Sequence, residues 1–280
     1  TATFLPTQGL TGGSASITVN NDLFTDSAGN LGVGNTLGSL VVNTSPATLM
    51  DVQITSAVGV QNSALNAGDV VTVTAHFSEA QTLNTTSGSP TVALQIGGST
   101  VTANYASGAG TADLLFTYTI LSGQTDANGI ALNADSLSLN GSTLKDPRTN
   151  TTTLSVPATA DNSNYTVDTT VPFLSITSNM GQVKVGETAN ITFTFSEDPG
   201  NTFVWNGTTG DVTLSNGTLS AISGTGVTRT AVFTPTHGVN SGTASISLGA
   251  GTYQDAAGNN GSAGGTPSLT IDTLAPTISN

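Results

Sequence analysis

The chain has 280 residues, of which 36% are hydrophobic and 5% aromatic, with 17 acidic against four basic side chains, a net charge of −13 and no cysteine. So few cations exclude a phosphate-gripping surface and hence a nucleic-acid partner, and no apolar run nears the roughly 18 residues that a membrane-spanning helix needs. A Thr-, Ser-, Asn-, Gly- and Val-rich composition suits short strands and tight turns rather than long helices. Without thiols to staple small extracellular domains, two readings stay open: a hard cation held by carboxylates, or thin cores that suffice unaided.

In chain order, the first stretch is a partial unit. Thr1-Ala2-Thr3-Phe4-Leu5-Pro6-Thr7-Gln8-Gly9 returns as Thr230-Ala231-Val232-Phe233-Thr234-Pro235-Thr236-His237-Gly238. At the same offset, Ser14 to Ile17 returns as Thr243 to Ile246 and Asp26-Ser27-Ala28-Gly29-Asn30 as Asp255-Ala256-Ala257-Gly258-Asn259, and the match runs to Asp51 against Asn280. A fixed period of this size means a tandem array. It places 1–44 as the C-terminal half of a module that starts in mid-repeat, with the true N-terminus expected elsewhere.

The next stretch, 45–168, alternates in short segments bounded by Gly, Asn, Asp and Pro. Strands are expected at Val52 to Ser56, Val70 to Phe77, Thr91 to Ile96, Thr100 to Tyr105, Leu114 to Leu121, Ser136 to Leu139 and Tyr165 to Val167, with a hairpin turn at Gly97-Gly98. The third stretch, 169–273, predicts seven short strands: Leu174 to Thr177, Ala189 to Phe195, Asp211 to Leu214, Thr218 to Ile222, Thr228 to Thr234, Thr243 to Leu248 and Ser268 to Ile271. Asn216-Gly217 reads as a second hairpin. Seven strands in about 100 residues is the count of an immunoglobulin-like sandwich. Gly68-Asp69 and Phe77-Ser78-Glu79 reappear, at one common spacing, as Gly186-Glu187 and Phe195-Ser196-Glu197, so two related but unequal modules alternate. Linkers lie at Asn43-Thr44-Ser45-Pro46, Asp168-Thr169-Thr170-Val171-Pro172 and Asp272-Thr273-Leu274-Ala275-Pro276, where proline stops ladder continuation. Residues 274–280 open another module. The fold class expected is all-β: tandem immunoglobulin-like Greek-key sandwiches in an elongated array.

Tracing 169–273 as alternating up and down strands brings Asp168, Glu197, Asp198, Asp211 and Asp255 to the pole beside the preceding linker. Five carboxylates there would repel unless a cation neutralised them. Oxygen donors without a His or Cys cluster point to calcium rather than a transition metal. The competing reading is that each acid caps a turn. At the joint before 45–168 the corresponding acids are Glu79 and Asp146, with Asp51 or Asp113 in support and only a neutral Asn43. Asp26, the copy of Asp255, is expected at a joint formed by residues outside this segment. Asp126 and Asp135 fall in a long loop at the far pole of 45–168, as further ligands or as turn caps.

The segments Val185 to Glu197, Val212 to Leu219, Asp255 to Asn259 and Leu269 to Thr277 resemble the bacterial Ig-like repeats of giant surface adhesins, the Bap-like and RTX-type biofilm family. Phe77-Ser78-Glu79, Phe116-Thr117-Tyr118-Thr119 and Val167-Asp168-Thr169-Thr170 resemble a sister repeat of the same proteins. The resemblance implies secretion, calcium dependence, a role in attachment or matrix cohesion, and neighbouring modules of the same or identical chains as partners, with a cell-surface or matrix ligand beyond. Three departures stand out: Asn43 for the linker Asp, Asp198-Pro199-Gly200 after Phe-Ser-Glu, and Lys145-Asp146-Pro147-Arg148 for Asp-x-Ala-Gly-Asn. They argue against uniform metal loading of the joints.

The sequence therefore predicts a spacer or filament segment of an extracellular fibre. The rival is a glycan- or protein-binding module using Trp205 and Phe203, which read more readily as a plug at the end of the sandwich. His76 and His237 lack a Ser or Cys partner at a recognisable spacing, so an enzyme is not expected. Sequons at Asn84, Asn190, Asn206 and Asn216 are what an Asn/Thr-rich chain produces by chance, and Gly261 to Gly265 lacks the lysine and helix of a phosphate loop.

Overall fold

The computed structural model describes residues 3–265 and 269–278, and every regular element among them is a β-strand. The expected strand start at Ser268 and the outermost positions of the repeat, Thr1, Ala2 and Asn280, lie outside the described residues. Strands form where the alternation is cleanest. In Val70–Phe77, Thr91–Ile96 and Ala189–Phe195 every second residue, an Ala, Val, Ile, Leu or Phe, is buried, while the positions between are mostly Thr, Gln and Asn and more open to solvent. That is the period-2 pattern of a sheet with one dry side.

Between Leu174 and Asp272 two four-stranded sheets face each other. One has the order Leu174–Ser178, Ala189–Phe195, Thr228–Pro235, Gly217–Leu219; the other Gln182–Lys184, Leu269–Asp272, Gly242–Leu248, Val212–Ser215. Ile191, Phe193, Phe233, Ala244, Ile246, Leu269 and Ile271 are each fully buried in the one core between them. The short strand Gln182–Lys184 runs parallel to Leu269–Asp272, closing the sheet edge beside the last strand.

Between Leu49 and Asp168 a second, separate core gathers under a seven-stranded antiparallel sheet, a three-stranded sheet and a strand pair. Ala64–Leu65 runs parallel to Thr166–Asp168 there, the counterpart of the Gln182–Lys184 pairing. Gly97 and Gly98, both at positive φ, join Thr91–Ile96 to Ser99–Ser107 as a two-residue hairpin, the primed turn that suits strand twist.

The repeat read from sequence is a repeat of register. Gly13↔Val42, Ser14↔Val41 and Ala15↔Leu40 in the first strand pair match Gly242↔Ile271, Thr243↔Thr270 and Ala244↔Leu269 in the last. The covering differs: Ile246 is fully buried, whereas Ile17 is 40% exposed.

Three expectations are corrected. Asn216-Gly217 is not a hairpin: Val212–Ser215 pairs with Gly242–Leu248 and Gly217–Leu219 with Thr228–Pro235, so the turn carries the chain from one sheet to the other. Asn216 adopts φ +56°, and its side chain donates to the Thr243 carbonyl, holding the crossover. Asp126 is not in a loop: it lies in the short strand Thr125–Asp126, and its carboxylate accepts from the amides of Gly97 and Gly129, which matches the turn-cap reading. Asp135 sits inside Ile130–Ser138 at a register shift, where it accepts from Val156 N.

Asp146-Pro147-Arg148-Thr149-Asn150 closes in the same way as Asp255-Ala256-Ala257-Gly258-Asn259, yet Thr149 holds φ +71° where Gly258 holds +85°. A β-branched residue in the left-handed region is strained by about 1 kcal/mol, part of which the extra backbone freedom of glycine offsets. Thr149→Gly should therefore raise stability by roughly 0.5 kcal/mol. Gly258→Thr should lower it, because it brings the same left-handed strain to φ +85°, while the end of the Gln61 side chain, 2.3 Å from the new Cβ, can swing aside. Thermal unfolding of the two variants reads both signs.

Candidate metal centre at the module joint

Each module end uses the same two-residue device. Asn43, Asp168 and Asp272 accept, through a side-chain oxygen, the amide two residues on, that of Ser45, Thr170 and Leu274. The threonine in between bridges a loop of the module it leaves. Thr44 Oγ1 donates to Thr7 O and accepts from Leu10 N. Thr169 does so with Gln124 O and Gly123 N, and Thr273 with Thr236 O and Val239 N. The Asx turn redirects the chain while the hydroxyl ties it down.

A second device faces the joint from the downstream module. Asp255 Oδ1 accepts from Ala257 N and Asn259 N, and its Oδ2 from Asn259 Nδ2. Asp26 and Asp146 collect the same three bonds from residues 28 and 30 and from residues 148 and 150. Asn259 Nδ2 also reaches Asp168 O at 2.9 Å, sewing the loop to the linker. The upstream module adds two bonds of its own, Asn62 Nδ2 to Ala256 O at 2.8 Å and Asn66 Nδ2 to Ala257 O at 2.9 Å.

The third device positions the glutamate. Ser196 exchanges bonds with Phe173, its amide to the Phe173 carbonyl and its hydroxyl accepting from Phe173 N. Ser78 does the same with Thr48. The serine in Phe-Ser-Glu thus ends the strand against the incoming linker and leaves the next side chain at the joint.

Together these place oxygens of Asp168, Glu197 and Asp255 within 4.8 Å of one another, from the linker, the end of the second strand and the Asp loop. None of the four ion pairs among the described residues reaches this trio. Burial first, then the charges of Asp168 and Asp255, push the Glu197 carboxyl above its usual range. An all-oxygen, all-anionic donor set with no cation beside it fits a hard divalent ion and does not fit a thiophilic one.

The other candidate acids, expected at this joint or at its counterparts, have partners of their own. Asp198 accepts from Gly200 N and from the buried guanidinium of Arg229 at 3.1 Å. Those two bonds, the amide foremost, hold its carboxyl low against the opposing effect of burial. Asp211 Oδ2 accepts from Val204 N and clamps the loop that sends Phe203 and Trp205 into the core. Trp205 is 8% exposed, with its ring N–H towards Leu219 O, so no exposed aromatic platform exists there. Glu79 pairs with Arg148 at 2.5 Å. Asp146 is buried within its own loop; desolvation is the largest single influence and pushes its carboxyl up, but the bonds from Asn150 and from the Arg148 amide, with the Arg148 charge, together keep it low. Asp26 is exposed and held low chiefly by Asn30. Asp113 is taken by His76 Nδ1, whose own pKa that bond raises.

Residues 168–273 match the model of the family described as a bacterial Ig-like domain. That segment is under half the chain and coincides with the two-sheet sandwich and its linker aspartate. No curated protein matches. Among solved structures, the type II cohesin dyad from the adaptor ScaA scaffoldin of Acetivibrio cellulolyticus aligns at 10% identity over 83% of this chain and 98% of that one, with a TM-score of 0.19.

The raised Glu197 pKa has a definite sign in stability. A carboxyl that is harder to ionise when folded binds more protons folded than unfolded, so stability falls as pH rises from the ordinary glutamate range, about 4.3, to the folded value. Above that window the penalty is complete. Glu197→Gln should therefore raise the chelated protein's midpoint of unfolding at pH 7, and the gain should vanish below about pH 4. Paired melts of the variant and the parent at the two pH values would measure it.

Proposed function

We propose that this chain is a spacer segment of a bacterial cell-surface or biofilm-matrix fibre, and that calcium held by Asp168, Glu197 and Asp255 stiffens the joint between its two complete sandwiches. The observation that carries the reading is the convergence of those three carboxylates from three separate elements at a module boundary. A linker aspartate sharing an ion with two groups of the next module turns an electrostatic repulsion into a bridge. Charges 4–5 Å apart near a protein surface repel by on the order of 4 kcal/mol per pair at an effective dielectric of about 20, so the cation-free joint is driven open against its hydrogen bonds.

Calcium supplies charge and six to eight oxygen contacts with flexible geometry. The chain's own part is to orient the donors: Thr170 N fixes the Asp168 carboxylate, Asn259 fixes that of Asp255, and the Ser196 bonds fix where Glu197 begins. With the ion, Asn62 and Asn66 hold their carbonyls undisturbed and the two modules behave as one rod. The oxygens of Asp255 already take three hydrogen bonds, so its remaining lone pairs do the ligating. Secretion to the cell exterior, where calcium is plentiful and thiols would be oxidised, accords with the absence of cysteine.

Two measurements test this. Calcium at 100 times its dissociation constant should stabilise the sandwich 169–273 by about 2.7 kcal/mol, and Asp168→Asn with Glu197→Gln should abolish that gain. Small-angle scattering should show a shorter, broader distribution of maximum dimensions after chelation. An unchanged scattering profile with and without chelator would rule out the stiffening role.

A further inference from the structure

The upstream side of the second joint is one braced piece. Ala64–Leu65 runs parallel to Thr166–Asp168, so the strand that ends in the linker aspartate is paired with a short strand flanked by Asn62 and Asn66. Gln61 and Ala64 exchange backbone hydrogen bonds of 2.9 and 2.8 Å around Asn62 and Ser63, which hold φ +49° and +66°. That is the primed two-residue turn. Thr166 fastens it, because its amide and its hydroxyl both donate to Ser63 O at 2.9 Å. The tip of the turn therefore moves with Asp168.

Across the joint this piece grips backbone. Asn62 Nδ2 donates to Ala256 O and Asn66 Nδ2 to Ala257 O, and the Gln61 side chain lies against Gly258. The two acceptors belong to the peptide units that surround Asp255. The peptide carrying Ala256 O presents its N–H, that of Ala257, to Asp255 Oδ1 at 2.9 Å. The peptide carrying Ala257 O presents the Gly258 N–H to the Asp255 carbonyl at 3.2 Å. Each carboxamide thus polarises and orients a peptide whose other end faces the aspartate. Neither side chain makes another hydrogen bond among the described residues.

We propose that Asn62 and Asn66 are positioning residues of the cation site, and that calcium binding and seating of the Asp255 loop on the upstream module strengthen each other. The inference rests on the calcium reading of Asp168, Glu197 and Asp255. Those three carboxylates stand on two modules, Asp168 on the braced piece and Glu197 with Asp255 on the next sandwich. The grip of the two amides is what sets the loop beside the strand that ends in Asp168. By reciprocity, the factor by which seating raises calcium affinity is the factor by which calcium favours seating.

The grip belongs to one kind of module end. At the spacing that relates Gly68 to Gly186, Asn62 and Asn66 become Met180 and Lys184. Val183 pairs with Ile271 there as Leu65 does with Val167, and Asp272 keeps its Asx turn. The frame is the same, but the two amides that seat an Asp loop are replaced.

The test uses the full chain, with calcium alone as the probe. Asn62→Gly keeps the left-handed turn and removes one amide; Asn66→Ala removes the other. Titration calorimetry should show calcium bound about tenfold more weakly by the double variant, with each single variant between it and the parent. Thermal unfolding of the chelated double variant should match that of the chelated parent, since both side chains bond only across the joint. Spin labels at the exposed Ser99 and Thr218, in a chain without native cysteine, follow seating. Chelation should broaden the parent's distance distribution, and saturating calcium should restore a narrow one in the variant. A simple brace would broaden the variant's distribution and leave its calcium affinity where it was, and that outcome overturns the inference. So does an affinity loss that comes with a lower unfolding midpoint in chelator. If the parent takes up no calcium, the cation reading itself fails and the inference with it; if parent and variants take it up alike, only the inference fails.

Discussion

A polar side chain that answers two backbone groups at once is what the arrangement of this chain depends on. A chain leaving the end of a sandwich must turn, and its amides and carbonyls lose their ladder partners where they do so. Thr169 supplies both a donor and an acceptor to a loop 45 residues behind it, and the aspartate before it caps the amide after it. Bonds of this kind contribute about 1 kcal/mol each, but leaving the groups unmet at a half-buried boundary costs more. Because the same two residues do this at positions 43–44, 168–169 and 272–273, the exit direction is set three times by the same chemistry. Without that, neither the Asp loop nor the glutamate of the next module would meet the linker at a fixed place.

Charge is then added to a frame that does not need it. The Asp loop is satisfied internally, since its carboxylate takes two amides and an asparagine side chain of its own five residues. This is why it persists at Asp26, which is exposed. Such a loop is a neutral carrier. It becomes electrostatically important only when a glutamate and a second aspartate are brought beside it, as at Glu197 and Asp168, and it becomes a salt-bridge platform when one of its middle residues is arginine. The first two residue types after the aspartate are free to vary because they contribute backbone, not side chain, to the loop, whereas the third holds a left-handed φ that favours glycine.

How much of this could be read beforehand follows from which forces are local. Strand periodicity is local, so Val70–Phe77, Thr91–Ile96 and Ala189–Phe195 are legible to the residue. The repeat is legible because identical residues recur at one offset, and the structure extends it to identical register. That Asp168, Glu197 and Asp255 come together follows from strand direction alone. The direction in which each carboxylate points does not, because that depends on partners distant in sequence: Arg229 draws Asp198 away, and Val204 N claims Asp211. Asn216-Gly217 misleads for a related reason. The dipeptide specifies a tight turn with positive φ, and whether the flanking strands then pair or part is decided by which sheet has room for each.

The Asp146 loop shows the more instructive failure. Its sequence lacks the glycine that makes Asp-x-Ala-Gly-Asn conspicuous, and it reads as a departure. The part that matters physically is an aspartate followed four residues later by an asparagine, which is present in both Asp146/Asn150 and Asp255/Asn259. Thr149 tolerates the left-handed backbone because three hydrogen bonds to one carboxylate and two between the loop's own backbone groups outweigh a strain of about 1 kcal/mol. Reading donors and acceptors in place of residue names would have identified the loop from Asp146 and Asn150 alone, since the residues between them bond through backbone and Arg148 turns its guanidinium to Glu79 instead.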